Sequence, residues 1–333
     1  MFRPSSLLII FIAFACSQKS NGDRSNAVPI PIKCYSMERA FFEALDSKDY
    51  RKYYDALFRL DSNVTQELFM NCYQVNPSQD TAFNNQMNRR FPKAWYGEGQ
   101  TLKTEIQKVI QQKKIETELS SAFGRLRALI PSKPIPSQVI FLYSDFGIFS
   151  FSTEKSLTIG LENFLGDQSQ VVKKINLYPW LKKKMQPEFL CPRALHNWLN
   201  AHYLPEGKEN YASEMIRWGK LIAILDILLT EQITATKLRY SQSSYDWAVA
   251  SEAKFWEYLV EQQLLFKTDQ ELNMNLLNEG PYSIGLPQES PDRMGRFLGY
   301  QIVKQYLDAE QPSIQELIHI PYNQILQKYQ VPK

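Results

Sequence analysis

The chain is poor in the groups that mark most enzymes of recognisable chemistry. Its 333 residues include three histidines and four cysteines. It contains no C-x-x-C, no G-x-x-x-x-G-K-[ST] and no G-x-S-x-G. The usual signatures of a cysteine-ligated zinc, a phosphate-cradling loop and a nucleophile elbow are therefore missing, and no cofactor motif takes their place. An excess of one charge is also missing: 38 Lys and Arg stand against 35 Asp and Glu, a formal +3. The basic clusters at Arg89 and Arg90, Lys113 and Lys114, Lys173 and Lys174, and 182–184 are short and scattered, and read as solvated faces. Nothing here is the electrostatic footprint of a nucleic-acid partner. No apolar run approaches the roughly twenty residues that span a bilayer. What the chain does have is core-forming material, 44% hydrophobic and 13% aromatic, enough for one large domain.

The first stretch, MFRPSSLLIIFIAFAC, has a positive residue at Arg3 and nine apolar residues from Leu7 to Ala15. That run is too short to span a membrane and has the length of a secretory h-region. Small residues stand at Ala13 and Ala15, and Cys16 follows at once. The arrangement resembles a bacterial lipobox, although Phe14 is bulkier than usual at its position. The resemblance implies that residues 1–15 are a signal peptide and that Cys16 is the lipidation site. A second acyl chain on the new N-terminus would add to the anchor, because one chain alone holds a protein only marginally. Ser17 stands where an acidic residue would favour the inner membrane, so the expected place is the outer membrane, facing the periplasm. Residues 16–33, polar and ending in VPIP, read as a lipidated flexible tether. The fifteen residues 17–31 would reach roughly 50 Å when fully extended. Residues 34–333 read as a single domain. Cys34, Cys72 and Cys191 form an odd set with no metal spacing, and any disulfide among them is left open.

Helical periodicity runs from Cys34 to about residue 73: Met37, Phe41 and Leu45, then Tyr50, Tyr54 and Phe58, then Val64, Leu68 and Cys72. Residues 74–98 read as an irregular connection, followed by a helical zone over about 101–130. The break PSKPIPS precedes three strand-like runs at 139–143, 148–151 and 157–160, and helices follow to the end. The expected fold class is α+β, predominantly α-helical, with a small three-stranded sheet followed by helices.

Three stretches carry chemically suggestive residues. In LENFLGDQSQ, Glu162 and Asp167 are candidate carboxylates for acid–base work, or simply part of a surface loop. In PRALHNWLNAHYLP, the window from His196 reads H-N-W-L-N where a zincin helix requires H-E-x-x-H. Asn197 cannot serve as the base and Asn200 is a poor second ligand, while His202 lies on another face. Glu214, on the next helix, would stand where a third ligand is found, but the set lacks two histidines. No catalytic metal is expected. In ESPDRMGRFLGYQIVKQYL, Ser290 reads as an N-cap, Pro291 as the first helical position and Asp292 as a first-turn acid. Gly295 and Gly299 leave a smooth strip on that helix for close packing or, alternatively, for a partner's backbone.

The lipobox and the segments SLTIGLENFLGD, SEMIRWGKLIAILDILL and ESPDRMGRFLGYQIVKQYL occur in the order seen in the GldB-type gliding-motility lipoproteins of Bacteroidetes. The resemblance covers roughly residues 130–310. Glu162 stands where the family usually has Asp, Asp292 where it has Gly, and Tyr300 where it has Trp. The resemblance implies a lipid-anchored component of the machinery for gliding and type IX secretion, with other envelope proteins as partners. It also implies a distant likeness to zincins, here degenerate, with a non-catalytic cleft formed by Glu162, Asp167, His196, Asn200, Glu214 and Arg293. In a chain from such a bacterium, Asp80-Thr81-Ala82 resembles a periplasmic O-glycosylation sequon at Thr81. An envelope hydrolase using Glu162 or Asp167, and a peptide- or glycan-binding lipoprotein, remain alternatives at this stage.

Overall fold

The computed structural model describes residues 27–77, 80–92, 96–205 and 209–332. Cys16 and the signal-peptide region lie outside the described residues.

The fold is α+β and predominantly helical, as the sequence predicts. The sheet has four strands rather than three: β1 (Lys33–Ser36), β2 (Gln138–Leu142), β3 (Ser150–Ser152) and β4 (Ser156–Gly160), in the order β1-β2-β4-β3. β1, β2 and β4 are parallel, with Val139 opposite both Cys34 and Leu157, and β3 closes one edge antiparallel to β4. Every residue of β2 and β4 is buried, so the centre of the sheet is covered on both faces. That burial explains the apolar run 139–142 in β2, while β4 buries Ser156 and Thr158 alongside Leu157 and Ile159. β1 corrects the expectation of a helix from Cys34. Four residues give too little alternation to reveal a strand, and the helical stripe begins only at Met37. Ahead of β1, Ile30 N–H donates to the Ser120 carbonyl at 3.1 Å, so the chain already lies on the body before residue 34.

The helices are α1 (Met37–Ser47), α2 (Tyr50–Leu60) and α3 (Ser62–Gln66), the last running into a π-helical turn over Glu67–Cys72. Next come α4 (Asp80–Arg90), α5 (Tyr96–Val109) and α6 (Gln112–Leu129). Within the stretch 74–98, expected to be an irregular connection, residues 80–90 and 96–98 are helical. Phe83, Met87 and Phe91, four residues apart and buried, bring α4 into the core despite its many amides. After the sheet follow α7 (Gln170–Lys174), α8 (Pro179–Lys182), α9 (Leu190–His202), α10 (Tyr211–Leu228) and α11 (Thr234–Leu238). The chain continues through α12 (Gln242–Ala250), α13 (Glu252–Glu261), α14 (Gln270–Leu277), α15 (Met294–Glu310), α16 (Ile314–Leu317) and α17 (Tyr322–Leu326).

Two packing regions hold the body together. In the first, α1, α2, α3 and the π-turn surround β2 with aromatic rings. Phe41 meets Tyr143 at 4.8 Å and Phe91 at 5.1 Å between ring centroids, and Tyr73 Oη donates to the Tyr143 carbonyl at 2.6 Å. Asp61 joins these helices to the sheet. One of its oxygens caps α3 at Asn63 and Val64, and the other accepts from Thr153 and Ser156. In the second, α10 packs against α15 with α9 alongside. Asn210 and Ser213 form a reciprocal capping box at the start of α10, which is buried along most of its length. α15 begins at Met294, three residues later than the sequence suggests. Its first free N–H is accepted not by Ser290 but by Ser283 Oγ, at 3.0 Å, from the loop before it.

Candidate functional site

The six residues expected to share one cleft occupy four separate environments. Glu162 follows β4 in a 3-10 turn and is fully buried, which overturns the surface-loop reading. Its Oε1 accepts the backbone N–H of Ser144 at 2.8 Å and of Phe146 at 3.1 Å, together with the Ser144 hydroxyl. Asp145 and Phe146 both have positive φ, a conformation unfavourable for L residues. The carboxylate thus holds the strained β2–β3 loop in shape, and no acid–base partner faces it. Burial raises its pKa to about 7 against the opposing pull of these hydrogen bonds. A folded state that keeps the proton longer is most favoured below pH 4.5 and loses that advantage as pH rises through 7. Relative to wild type, Glu162→Gln is therefore expected to gain on the order of 3 kcal/mol of stability between pH 4.5 and 7.5. Parallel urea titrations of the two proteins across that range check it; a difference that does not vary with pH would refute the reading.

Asp167 lies beyond Gly166 on a partly exposed turn, where its nearest hydrogen-bonding contact is Gln168. It is not near Glu162's buried carboxylate pocket. Thr81 stands in the first turn of α4, not in a loop.

Asn200 and Glu214 do come together, through a residue the sequence reading did not single out. Arg217 is buried, and its guanidinium donates Nη2 to Asn200 Oδ1 and Nη1 to Glu214 Oε1 at 3.0 Å, while Nε donates to the Pro205 carbonyl at 2.7 Å. The spacing Glu214 to Arg217 is i,i+3 on α10, so that half of the arrangement could have been read. The half from α9 depends on tertiary packing. The three residues line a polar basin of about 560 Å3 with Asn210, Gln270 and Asn273. Trp218 borders the basin, but its ring is already engaged. His196 stacks on it at 4.9 Å, and the Arg296 and Arg217 guanidiniums lie 3.7 and 4.9 Å over it. Asn197 turns the other way, accepting from Ser152 Oγ at 2.6 Å and donating to the Ser150 carbonyl at 3.2 Å. It fastens α9 along the edge strand β3. Lys220 and Asp226, both on α10, do not pair with each other: Lys220 donates to the Ile320 carbonyl, and Asp226 pairs with Lys237 and Tyr300.

His196 and Arg293 belong to a buried ionic cluster. Glu279 accepts from Arg193 at 3.0 Å and Arg239 at 2.8 Å, with Arg293 at 3.9 Å. Asp292 accepts from Lys184 at 2.8 Å and Arg293 at 3.0 Å, and also from Gly280 N–H at 3.2 Å. Arg296 donates to the Leu277 carbonyl beside them. Burial alone would raise the carboxyl pKa of Glu279, but the surrounding arginines hold it well below its ordinary value. Burial and the same arginines push His196 well below an ordinary histidine, so it is neutral. The cluster ties α9, the end of α11, the loop after α14 and the start of α15 into one unit. The functional consequence of the Asp292 departure is small: its carboxylate is satisfied inside this network and does not face a ligand.

Among the described residues, no group of three or more His, Cys, Asp or Glu is arranged to hold a metal ion. No described helix is long and apolar enough to cross a membrane. Cys34, Cys72 and Cys191 are free, and Cys191 is buried.

A mixed sheet with an antiparallel edge, a helix fastened along that edge, and a close-packed helical pair behind it define a helical α+β body whose polar interior is built from ion pairs. The profile of the gliding motility protein GldB family matches residues 17–331, nearly the whole chain, and the chain belongs to that family. It is a gliding-motility-associated lipoprotein by that membership. No match was found among curated proteins or among solved structures.

Proposed function

We propose that the protein is a non-catalytic, lipid-tethered component of the gliding and type IX secretion machinery, whose body binds other envelope proteins and whose metal-site region is a degenerate zincin. The observation that carries this reading is Arg217. In a zincin-like layout the first turn of His196, the position of Asn200 and the acid of the next helix surround a cation. Here Asn200 and Glu214 instead share a guanidinium that belongs to the chain. A guanidinium satisfies the carboxylate and amide oxygens by hydrogen bonds but has no Lewis acidity and activates no water. With Asn197 committed to the edge strand, neither base nor electrophile is available for peptide hydrolysis.

The tether reading rests on the lipobox resemblance and on the family. Lipid on Cys16 would hold the mature chain to the outer membrane, and the segment before Ile30 would give the body its reach. Thr81, at the start of α4, is the proposed O-glycosylation position. Fractionation of cells expressing Cys16→Ser in place of wild type tests the anchor. The variant is expected to leave the membrane pellet for the soluble or precursor fraction, and the colonies to stop spreading. A variant that stays in the outer membrane and supports spreading would sink the proposal.

A further inference from the structure

The ionic cluster of α9 and α15 is not balanced. Five cationic side chains, Lys184, Arg193, Arg239, Arg293 and Arg296, surround two carboxylates, Glu279 and Asp292. Between them lies a narrow cavity lined by His196, Lys237, Arg239, Tyr240, Arg293 and Arg296, along with Ile222 and Leu238. No carboxylate lines it. Lys237 already has its partner in Asp226. Three buried polar nitrogens of the lining have no hydrogen-bond partner: Nε of Arg239, Nε of Arg293 and Nε2 of His196. Arg239 and Arg293 are themselves nearly inaccessible, at 4% and 2% exposure.

Buried guanidinium N–H groups are rarely left without acceptors, and buried charge is rarely left without a counter-charge. A neutral water could accept from two donors but would bring no charge. The cavity offers only about 10 Å3 for the centre of a water-sized sphere. A void in which a water-sized sphere can still shift has room for one monatomic ion, and too little for phosphate or sulfate. We propose that this cavity is a binding site for one monatomic anion, chloride under physiological conditions, held by Arg239 Nε, Arg293 Nε and His196 Nε2. The ion accepts all three N–H groups at once and offsets the positive excess. It joins α9, the left-handed residue after α11 and the left-handed residue before α15 through a single acceptor. The field at the cavity agrees: burial, reinforced by Arg293 and Arg239, pushes Arg296 well below an ordinary arginine despite Glu279 and Asp292, and burial with four arginines depresses His196.

The site does not depend on the anchor or on the partners proposed above. It is tested by thermal unfolding of the purified chain in chloride–gluconate mixtures at constant ionic strength. The melting temperature is expected to rise saturably with chloride, and bromide is expected to replace it. His196→Phe keeps a ring to stack on Trp218 but removes Nε2. It should weaken the apparent chloride affinity at least about tenfold, the loss of one charge-assisted hydrogen bond. Crystals grown from bromide give a second readout, an anomalous peak within hydrogen-bonding reach of the two Nε atoms. Equal melting temperatures in chloride and gluconate would overturn the proposal. So would an unsaturating rise common to all anions, or a bromide map with no peak in the cavity.

Discussion

Replacing Glu279 by alanine is expected to lower the unfolding free energy by about 3–5 kcal/mol, the cost of leaving buried charges without their partner. The size follows from sharing. Arg193 and Arg239 donate to this carboxylate directly and Arg293 lies close by, and the nearest other acid, Asp292, is already taken by Lys184 and Arg293. Removing Glu279 would leave Arg239, almost wholly inaccessible, and the partly buried Arg193 without the carboxylate they share. Glu279→Gln keeps the shape and an acceptor oxygen but not the charge, and is expected to fall between wild type and alanine. The pH dependence has a definite sign. A carboxylate whose folded pKa is depressed contributes stability that is present above its unfolded value, about 4.3, and is lost as pH falls through the folded value. The Glu279→Ala deficit should therefore shrink in acid. Chemical denaturation of the variants at pH 7 and pH 3 measures both; a deficit under 1 kcal/mol at pH 7 would mean that the cluster is solvated and not buried.

The second large effect concerns the contact between α10 and α15. A Cβ built on Gly219 would run into the Gly299 carbonyl, and one on Gly299 would run into the Met215 carbonyl. Both obstacles are backbone, so neither can swing aside, and the two helices would have to separate. Alanine is the better helix former by up to about 1 kcal/mol. Gly219→Ala and Gly299→Ala are nevertheless each expected to lower stability by about 2–3 kcal/mol, because overpacking outweighs propensity. Gly97, on exposed α5 with nothing within 4 Å of its added Cβ, is the control. There alanine should leave stability unchanged or raise it by up to about 1 kcal/mol. Thermal melts of the three variants decide the matter, and stabilisation by Gly299→Ala would contradict the close approach.

Much of this packing was legible before the structure. Gly295 and Gly299 on one stripe pointed to close contact, and Gly219, which closes on Gly299, lay within a quoted segment. The run that became β2 announced itself because a strand covered on both faces is largely apolar, and β4 followed from Leu157, β-branched Thr158 and Ile159. Other features were hidden for physical reasons. The stripe read on α2 as Tyr50, Tyr54 and Phe58 is rotated by one residue: Tyr50, Tyr53 and Leu57 are buried, and Phe58 is half exposed. Spacings of three and four fit the same pattern, and only the neighbouring sheet decides between them. The start of α15 was misplaced because Ser290, Pro291 and Asp292 carry local start signals. Asp292 is drawn instead into pairing with Lys184, and the cap comes from Ser283.

The candidate site was the least legible part. His196, Asn200, Glu214 and Arg293 were legible as candidate cleft residues. Their grouping was not, because it depends on Arg217 reaching from α10 to α9 and on Glu279 gathering arginines from three elements. Arg193 and His196 are three residues apart on α9, as are Arg293 and Arg296 near the start of α15. Each pair marks a polar stripe, but nothing in either says that the two stripes meet. Glu162 shows the opposite failure. Its place after a strand and its acidity suggested chemistry, while its actual partners are two backbone N–H groups that any sequence would supply, with the Ser144 hydroxyl and the adjacent Asn163 amide.

The proposed function holds that the chain's own guanidinium takes the place that a metal has in a zincin. Metal analysis of the protein purified from the cell envelope, repeated after equilibration with zinc at pH 7.5, tests it most directly. The account predicts far less than one zinc per chain in both samples. One tightly held zinc per chain, lost on Glu214→Ala, would contradict it.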